Sequence, residues 1–340
     1  MTLPQKHFKE TKRLITLVGK KAITNWIIKD GYFAEQYVLP PCFKVETFNL
    51  KKKAYYIVKT QGTRVKFNVE TFELNNIAFP KSQLTERTFG IINPKIYHDI
   101  VWHMKNEWSL ILDHIFHKDI KIFPYSFPIP ITSKNEKELG NLRAGRMIYE
   151  FIEMAENDLV AESHKFKYIL KTDIKNFYPS IYTHSIAWAL HGKNCGRDDK
   201  NTYALLGTKL DKLFQSANDG CTNGIPIGPV VSDLVSEIIL AAVDRETSKE
   251  LKKNRIKFIG ARFKDDYRIL CNSKTDAQMI IKILQVQLRQ FNLYLNEEKS
   301  SIKSLPEGLY RIWTLDYHKF SLRNRSKIDF KTFENTLLAV

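Results

Sequence analysis

Residues 261–271 read ARFKDDYRILC: two β-rich runs, IKFIGARF (256–263) and YRILCNS (267–273), flank an acidic pair, Asp265 and Asp266. Aromatic and β-branched residues on both sides of a short polar gap predict a β-hairpin with the pair at its tip. An aspartate pair in a turn is commonly solvated, because short polar side chains suit turn geometry. The rest of the chain decides whether this pair does more.

Upstream, KFKYILKTDIKNFYPSIY (165–182) begins as the continuous apolar run of a buried strand and carries Asp173 at its far end. A helix follows, capped by Thr183 and stopped at Gly192. The polar loop KNCGRDDKNT, a further helix and the turn-rich SANDGCTNGIPIGP then lead to a long helix from Val230 to Lys252. The hairpin comes next, then an amphipathic helix over KTDAQMIIKILQVQLRQFNL and a last extended run, YLNEEKSSI. This order predicts an α+β fold with helices packed on one face of a mostly antiparallel sheet. Neighbouring strands in that sheet bring Asp173 and the Asp265–Asp266 pair to one edge. Hard oxygen ligands of that kind suit Mg²⁺ or Mn²⁺. A metal pair so held can activate a 3′-hydroxyl and stabilise a leaving pyrophosphate.

The amino-terminal third reads as a helix over TKRLITLVGKKAITNWIIKDG, closed by Gly31, and a Lys-rich hairpin turning at Gln61 and Gly62. A helix from Pro94 to Trp108, an extended Pro-spaced FPYSFPIPITSK and a helix over ELGNLRAGRMIYEFIEMAEN follow, the last with Met147, Ile148, Phe151, Ile152 and Ala155 on one side. The 340 residues carry 53 Lys and Arg against 37 Asp and Glu, a formal charge of +16 that favours a polyanionic partner. No apolar run approaches the roughly 20 residues of a spanning helix, so no membrane partner is expected. The amino terminus lacks an apolar signal core, and Cys42, Cys195, Cys221 and Cys271 are scattered without a CxxC; free thiols in a reducing cytoplasm are expected.

Four ordered segments carry a family resemblance. LKTDIKNFYPSI (170–181) resembles motif A of reverse transcriptases, in which the aspartate binds metal and an aromatic five residues on, here Tyr178, packs beneath the sugar. NGIPIGPVVSDLVSEIIL (223–240) resembles motif B, FKDD (263–266) motif C, and LNEEKSSI (295–302) motif D, whose lysine, here Lys299, lies near the triphosphate. The resemblance implies a right-hand polymerase palm with fingers, an antiparallel sheet carrying Asp173, Asp265 and Asp266 as catalytic metal ligands, and dNTPs and nucleic acid as partners. A ring beneath the sugar would clash with a 2′-hydroxyl and so favour deoxynucleotides. Before motif A, Lys134, Arg143 and Arg146 fall where the family grips the triphosphate; a solvated helix face explains them as well.

Two departures stand out. Motif B has Ile227 where most members place a Gln that touches the nucleotide and template, and an aliphatic side chain cannot make those hydrogen bonds. In motif C, Lys264 either holds a primer phosphate or offsets the charge of the aspartates. A narrower resemblance follows from DIKNFYPSIYTHSIAWAL (173–190), similar to bacterial abortive-infection reverse transcriptases of the AbiK type, including prophage-encoded ones. It implies an oligomeric antiphage factor of the bacterial cytoplasm that makes DNA without a template from a tyrosine primer. His184 and Ser185 within that run read as helix-start residues. A templated enzyme of retron or group II intron type is the alternative, and a polymerase-like binding module without chemistry a third reading. The expected division is an N-terminal extension and start of fingers (1–90), fingers (91–165), a palm with motifs A to D (166–310) and the start of a C-terminal α-helical domain (311–340), which SKIDFKTFENTLLAV opens and leaves incomplete.

Overall fold

The computed structural model describes residues 1–33, 49–62, 64–80, 83–131, 139, 145–309 and 330–331. Helices α1 (Leu3–Val18) and α2 (Lys20–Lys29) precede two small antiparallel hairpins, β1–β2 (Lys59–Gln61, Arg64–Lys66) and β3–β4 (Asn75–Pro80, Glu86–Ile91). Then come α3 (Pro94–Asn106), α4 (Trp108–Ile115), β5 (Ile122–Pro124), α5 (Gly145–Ser163) and β6 (Tyr168–Asp173). The chain continues through α6 (Phe177–Ser180), α7 (His184–His191), α8 (Lys193–Asp198), α9 (Leu206–Ser216) and α10 (Val230–Lys253). It closes with β7 (Phe258–Phe263), β8 (Asp266–Cys271), α11 (Lys274–Arg289) and β9 (Ser301–Ser304).

The predicted palm sheet is present, with strand order β5-β7-β8-β6-β9. Every pairing is antiparallel except that of β5 with β7, so the sheet is mixed at one edge. Alternation divides β6 and β8 between two faces. Leu170, Tyr267, Ile269 and Cys271 enter the main core with α10 and α11, while Ile169 and Leu270 pack beneath α5 against Ala155 and Leu159. Helices therefore cover both faces, not one. Helix α10 is the central pillar: every residue from Gly228 to Asp244 is buried. Its sequence reads as near-continuous apolar for that reason, and the few polar residues in it must find partners inside the protein.

Local chemistry sets the helix starts. Thr2 and Ser273 accept from Gln5 and Asp276 backbone N–H groups at the heads of α1 and α11, and Asn93 accepts from Lys95 at the head of α3, where Pro94 fills the first turn. Two expectations are corrected. The single N-terminal helix is two, because Gly19 adopts φ +77° and ψ 150°, ending α1 and starting α2. Thr183 starts α7 but makes no side-chain cap bond: its own φ and ψ of −59° and −33° are already helical, and its N–H donates to the Thr222 carbonyl at 2.8 Å. The basic hairpin turns at Gly62, as expected, with Gln61 opposite Arg64. Among the described residues no helix is long and apolar enough to cross a membrane. Cys195, Cys221 and Cys271 are free thiols, whereas Cys42 and nearly all of the expected C-terminal helical region lie outside the described residues.

Candidate active site

The hairpin tip is a two-residue loop, Lys264 and Asp265, closing the pairs Phe263–Asp266 and Arg262–Tyr267. Lys264 takes the positive φ, +50°, that such tight hairpins demand at the first loop position. Asp173, the last residue of β6, stands directly opposite Asp266. One residue further, the Ile174 N–H donates to the Asp265 carbonyl at 3.3 Å. Motifs A and C are thus joined backbone to backbone, and their three carboxylates share one sheet edge. Asp173 is buried, Asp265 half-buried and Asp266 exposed. Burial, then the charges of Asp173 and Asp266, push the Asp265 carboxyl up to about 6.

Motif D clasps the same edge. The Asn296 N–H donates to the Asp173 carbonyl at 2.7 Å, the Lys175 N–H to the Tyr294 carbonyl at 2.9 Å, and the Thr172 and Ser300 hydroxyls meet at 2.7 Å. This sets the Lys299 ammonium 2.9 Å from Asp173 Oδ2, and the hydrogen bond to Asp173, followed by the three aspartate charges, raises its pKa. The lysine expected near a triphosphate therefore stands beside the carboxylates themselves.

Residues that sequence reasoning missed brace the hairpin from behind. Arg262 is wholly buried and forks onto α10: its Nε donates to Asp244 Oδ2 at 2.8 Å, and its Nη2 and Nη1 to the Glu237 carboxylate at 2.9 and 3.1 Å. Its Nη1 also donates to the Lys264 carbonyl at 3.0 Å, inside the β7–β8 turn. Ser126 completes the brace, donating to Glu237 at 2.7 Å while accepting from the Lys264 N–H at 2.8 Å. Burial opposes the charged guanidinium, but Asp244 and Glu237 hold it well above its ordinary pKa. A signal existed in sequence: Asp233, Glu237 and Asp244 recur at helical spacing on one face of an otherwise apolar helix.

Tyr178 lies in α6, entered through Asn176 at φ +47°, and is buried beside Phe177. Its hydroxyl donates to Asp233 in the first turn of α10. The Lys264 ammonium reaches the same Asp233 oxygen at 3.5 Å and lies 5.8 Å from the Tyr178 ring centre. The structure thus gathers Asp173, Asp265, Asp266 and Lys299, with Tyr178 joined to the turn through Asp233 and Lys264. Ile227 is elsewhere: its side chain packs with Phe89 of the β3–β4 hairpin and against the main core. There the Gly90 N–H donates to the Ile227 carbonyl at 3.1 Å, and a Cβ on Gly90 would sit 2.7 Å from Pro226. His184 pairs with Asp211, and the Ser185 hydroxyl donates to the Phe291 carbonyl at 3.2 Å, both structural contacts. Lys134 and Arg143 lie outside the described residues, as does the side chain of Arg146, whose backbone begins α5.

Crowded carboxylates with one of their number driven up to about 6 fit a divalent cation, and oxygen donors suit Mg²⁺ or Mn²⁺. Among the described residues no three His, Cys, Asp or Glu side chains close around one point, so the carboxylates line an open edge. Mg²⁺ held by one or two carboxylates and completed by substrate phosphates has that form.

An edge of this kind on a mixed sheet, with a helical pillar behind it, defines a polymerase palm. Residues 111–330 match the family model described as reverse transcriptase (RNA-dependent DNA polymerase), and the chain belongs to that family. Its members are nucleotidyltransferases. Among solved structures it is similar to apo telomerase from Candida tropicalis truncated from its C-terminal domain, at 15% identity and a TM-score of 0.43 over 69% of this chain and 51% of that one. It is also similar to telomerase from Candida albicans in complex with a fragment of telomeric RNA, at 12% identity and a TM-score of 0.42 over 75% of this chain and 46% of that one. The chain spans about half the length of these telomerases. No curated protein matches it.

Proposed function

We propose that the protein is a DNA polymerase of bacterial antiphage abortive infection that adds deoxynucleotides without a template, starting from a tyrosine hydroxyl of its own. The observation that supports nucleotidyl transfer is the placement of Asp173 opposite Asp266 on one sheet edge, with Asp265 in the adjoining turn and Lys299 beside Asp173. Asp173, Asp265 and Asp266 would hold Mg²⁺ or Mn²⁺, whose charge acidifies the attacking hydroxyl and offsets that of the leaving pyrophosphate. The hydroxyl gives its proton to water as its oxygen attacks the α-phosphorus, the bond from that phosphorus to the bridging oxygen of the β-phosphate breaks, and its electron pair leaves with pyrophosphate. Lys299 supplies positive charge where the leaving group departs, Arg143 and Arg146 grip the triphosphate, and Tyr178 beneath the sugar selects deoxyribose.

The untemplated part of the reading is supported by Ile227, which packs against Phe89 and offers no donor or acceptor to a template base. The tyrosine primer, the oligomer and the cytoplasmic setting rest on the resemblance of residues 173–190. Partners are dNTPs and a DNA product attached to the chain, and the +16 charge suits both. Purified protein given Mg²⁺ and labelled deoxynucleotides, with neither primer nor template, tests the reading on a denaturing gel before and after protease. Label that travels with protein until digestion is the expected result. Label incorporated only after a primer–template is added would support the templated alternative, and no incorporation would overturn both.

A further inference from the structure

We propose that Asp233 is a positioning residue for sugar selection, fixing the Tyr178 ring from the first turn of α10 and tethering it through Lys264 to the turn that carries Asp265. The inference rests on the reading of Tyr178 as the residue beneath the sugar.

Three elements distant in sequence meet at one carboxylate oxygen: the Tyr178 hydroxyl from α6, the Lys264 ammonium from the β7–β8 turn at 3.5 Å, and Asp233 from α10. Asp233 is only 4% exposed, so its charge needs partners inside the protein, and those two are among them. A tyrosine ring held by packing alone turns and tilts about two side-chain bonds. A charge-assisted bond at its far end removes that freedom.

Lys264 extends the tether. Its backbone is pinned inside the turn, the N–H donating to Ser126 and the carbonyl accepting from Arg262. Its side chain runs back to Asp233, with 27% exposure, and passes near the Tyr178 ring. Ring position and catalytic turn are therefore coupled through one acid. A lysine at this position serves the gate, a role that neither a primer phosphate nor simple charge balance at the aspartates requires.

The test compares dNTP with rNTP incorporation by the full chain, expressed as the ratio of their kcat/KM values. Tyr178→Phe removes only the hydroxyl, and the ratio should fall about tenfold, through a rise in rNTP use. Asp233→Ala should match it, and the double variant should fall no further, because both changes break the same bond. Asp233→Asn keeps an acceptor for the hydroxyl and should retain most of the selectivity. Lys264→Asn, chosen because Asn tolerates the positive φ, should cost less, about threefold. Tyr178→Phe preserves volume and decides the matter even if Asp233→Ala fails to fold. If Tyr178→Ala admits ribonucleotides while Tyr178→Phe and Asp233→Ala discriminate like the parent, the gate stands and the role of Asp233 falls. If Tyr178→Ala discriminates like the parent, the gate reading falls and takes this inference with it.

Discussion

The middle of α10 and the loop ahead of it meet different neighbours. At the buried middle, Glu237 and Asp244 grip Arg262 and, through it, the backbone of the β7–β8 turn. Ahead of the first residue, the motif B loop meets the β3–β4 hairpin through Ile227, Phe89 and a Gly90 that leaves room for Pro226. One contact is ionic, buried and tied to the edge that carries the aspartates; the other is apolar, with Ile227 where most of the family places a hydrogen-bonding group. The turn that carries Asp265 is thus held by buried ionic contacts, while the motif B loop is held by apolar packing.

The sharpest way to break the catalytic side is Asp265→Asn. On the proposed role of Asp265 as a metal ligand, its loss should lower dNTP incorporation at least a thousandfold. Stability should move the other way. Burial and the charges of Asp173 and Asp266 disfavour an ionised Asp265, so a neutral side chain relieves the edge and the melting temperature in EDTA should rise. An inactive variant that also melts lower would count against a functional cost at this site.

Arg262→Met tests the brace. Removing the guanidinium leaves Glu237 and Asp244 buried without their counter-charge, and unfolding in urea should show a loss of about 3–5 kcal/mol. Arg262→Lys should recover only part of this, because a point charge cannot fork onto two carboxylates and a carbonyl. A loss below about 1 kcal/mol would mean that the turn is held by other contacts.

These residues also mark where the sequence was legible. The hairpin, its Asp pair, the strand ending in Asp173 and the long helix were readable, because each rests on local alternation, turn chemistry or an apolar run. Arg262 was not: an arginine in a strand reads as a solvated basic face, and only the packing of β7 on α10 shows that it is buried. Asp233 and Glu237 read as interruptions of an apolar helix when their partners lie far along the chain. The parallel pairing of β5 with β7 joins residues more than a hundred positions apart, and no local pattern encodes it. Ile227 was recognised as a departure, yet its partner Phe89 came only with the fold.

A smaller effect separates the two regions by pH. His103 in α3 and His114 in α4 are held down to about 4, chiefly by burial, and His114 Nε2 bonds the Ile238 carbonyl, next to Glu237, at 2.8 Å. A lowered folded-state pKa means that the unfolded chain takes up protons first. Their stabilisation is complete above about pH 6.5 and is lost as pH falls toward 4, by at most about 1.4 kcal/mol per pH unit for each imidazole. Urea titrations across that range should show the slope, and His114→Gln should reduce it by one proton. A slope unchanged by that substitution would mean that His114 is not held neutral in the fold.

The mildest change asks most of the comparison. Ile227→Gln restores the residue common in the family and places an amide against Phe89, where the apolar contact gives it little to bond. Because Ile227 is only half-buried, the amide can turn toward water, and the stability cost should be about 1 kcal/mol. The backbone bond from Gly90 to the Ile227 carbonyl does not depend on the side chain, so the loop should keep its place against the fingers. What should change is the response to an added primer–template: the parent should ignore it, and the Gln variant should begin to copy it. If the variant is folded and still indifferent to template, the side chain at position 227 does not decide template use, and Ile227 no longer supports the proposed untemplated reading.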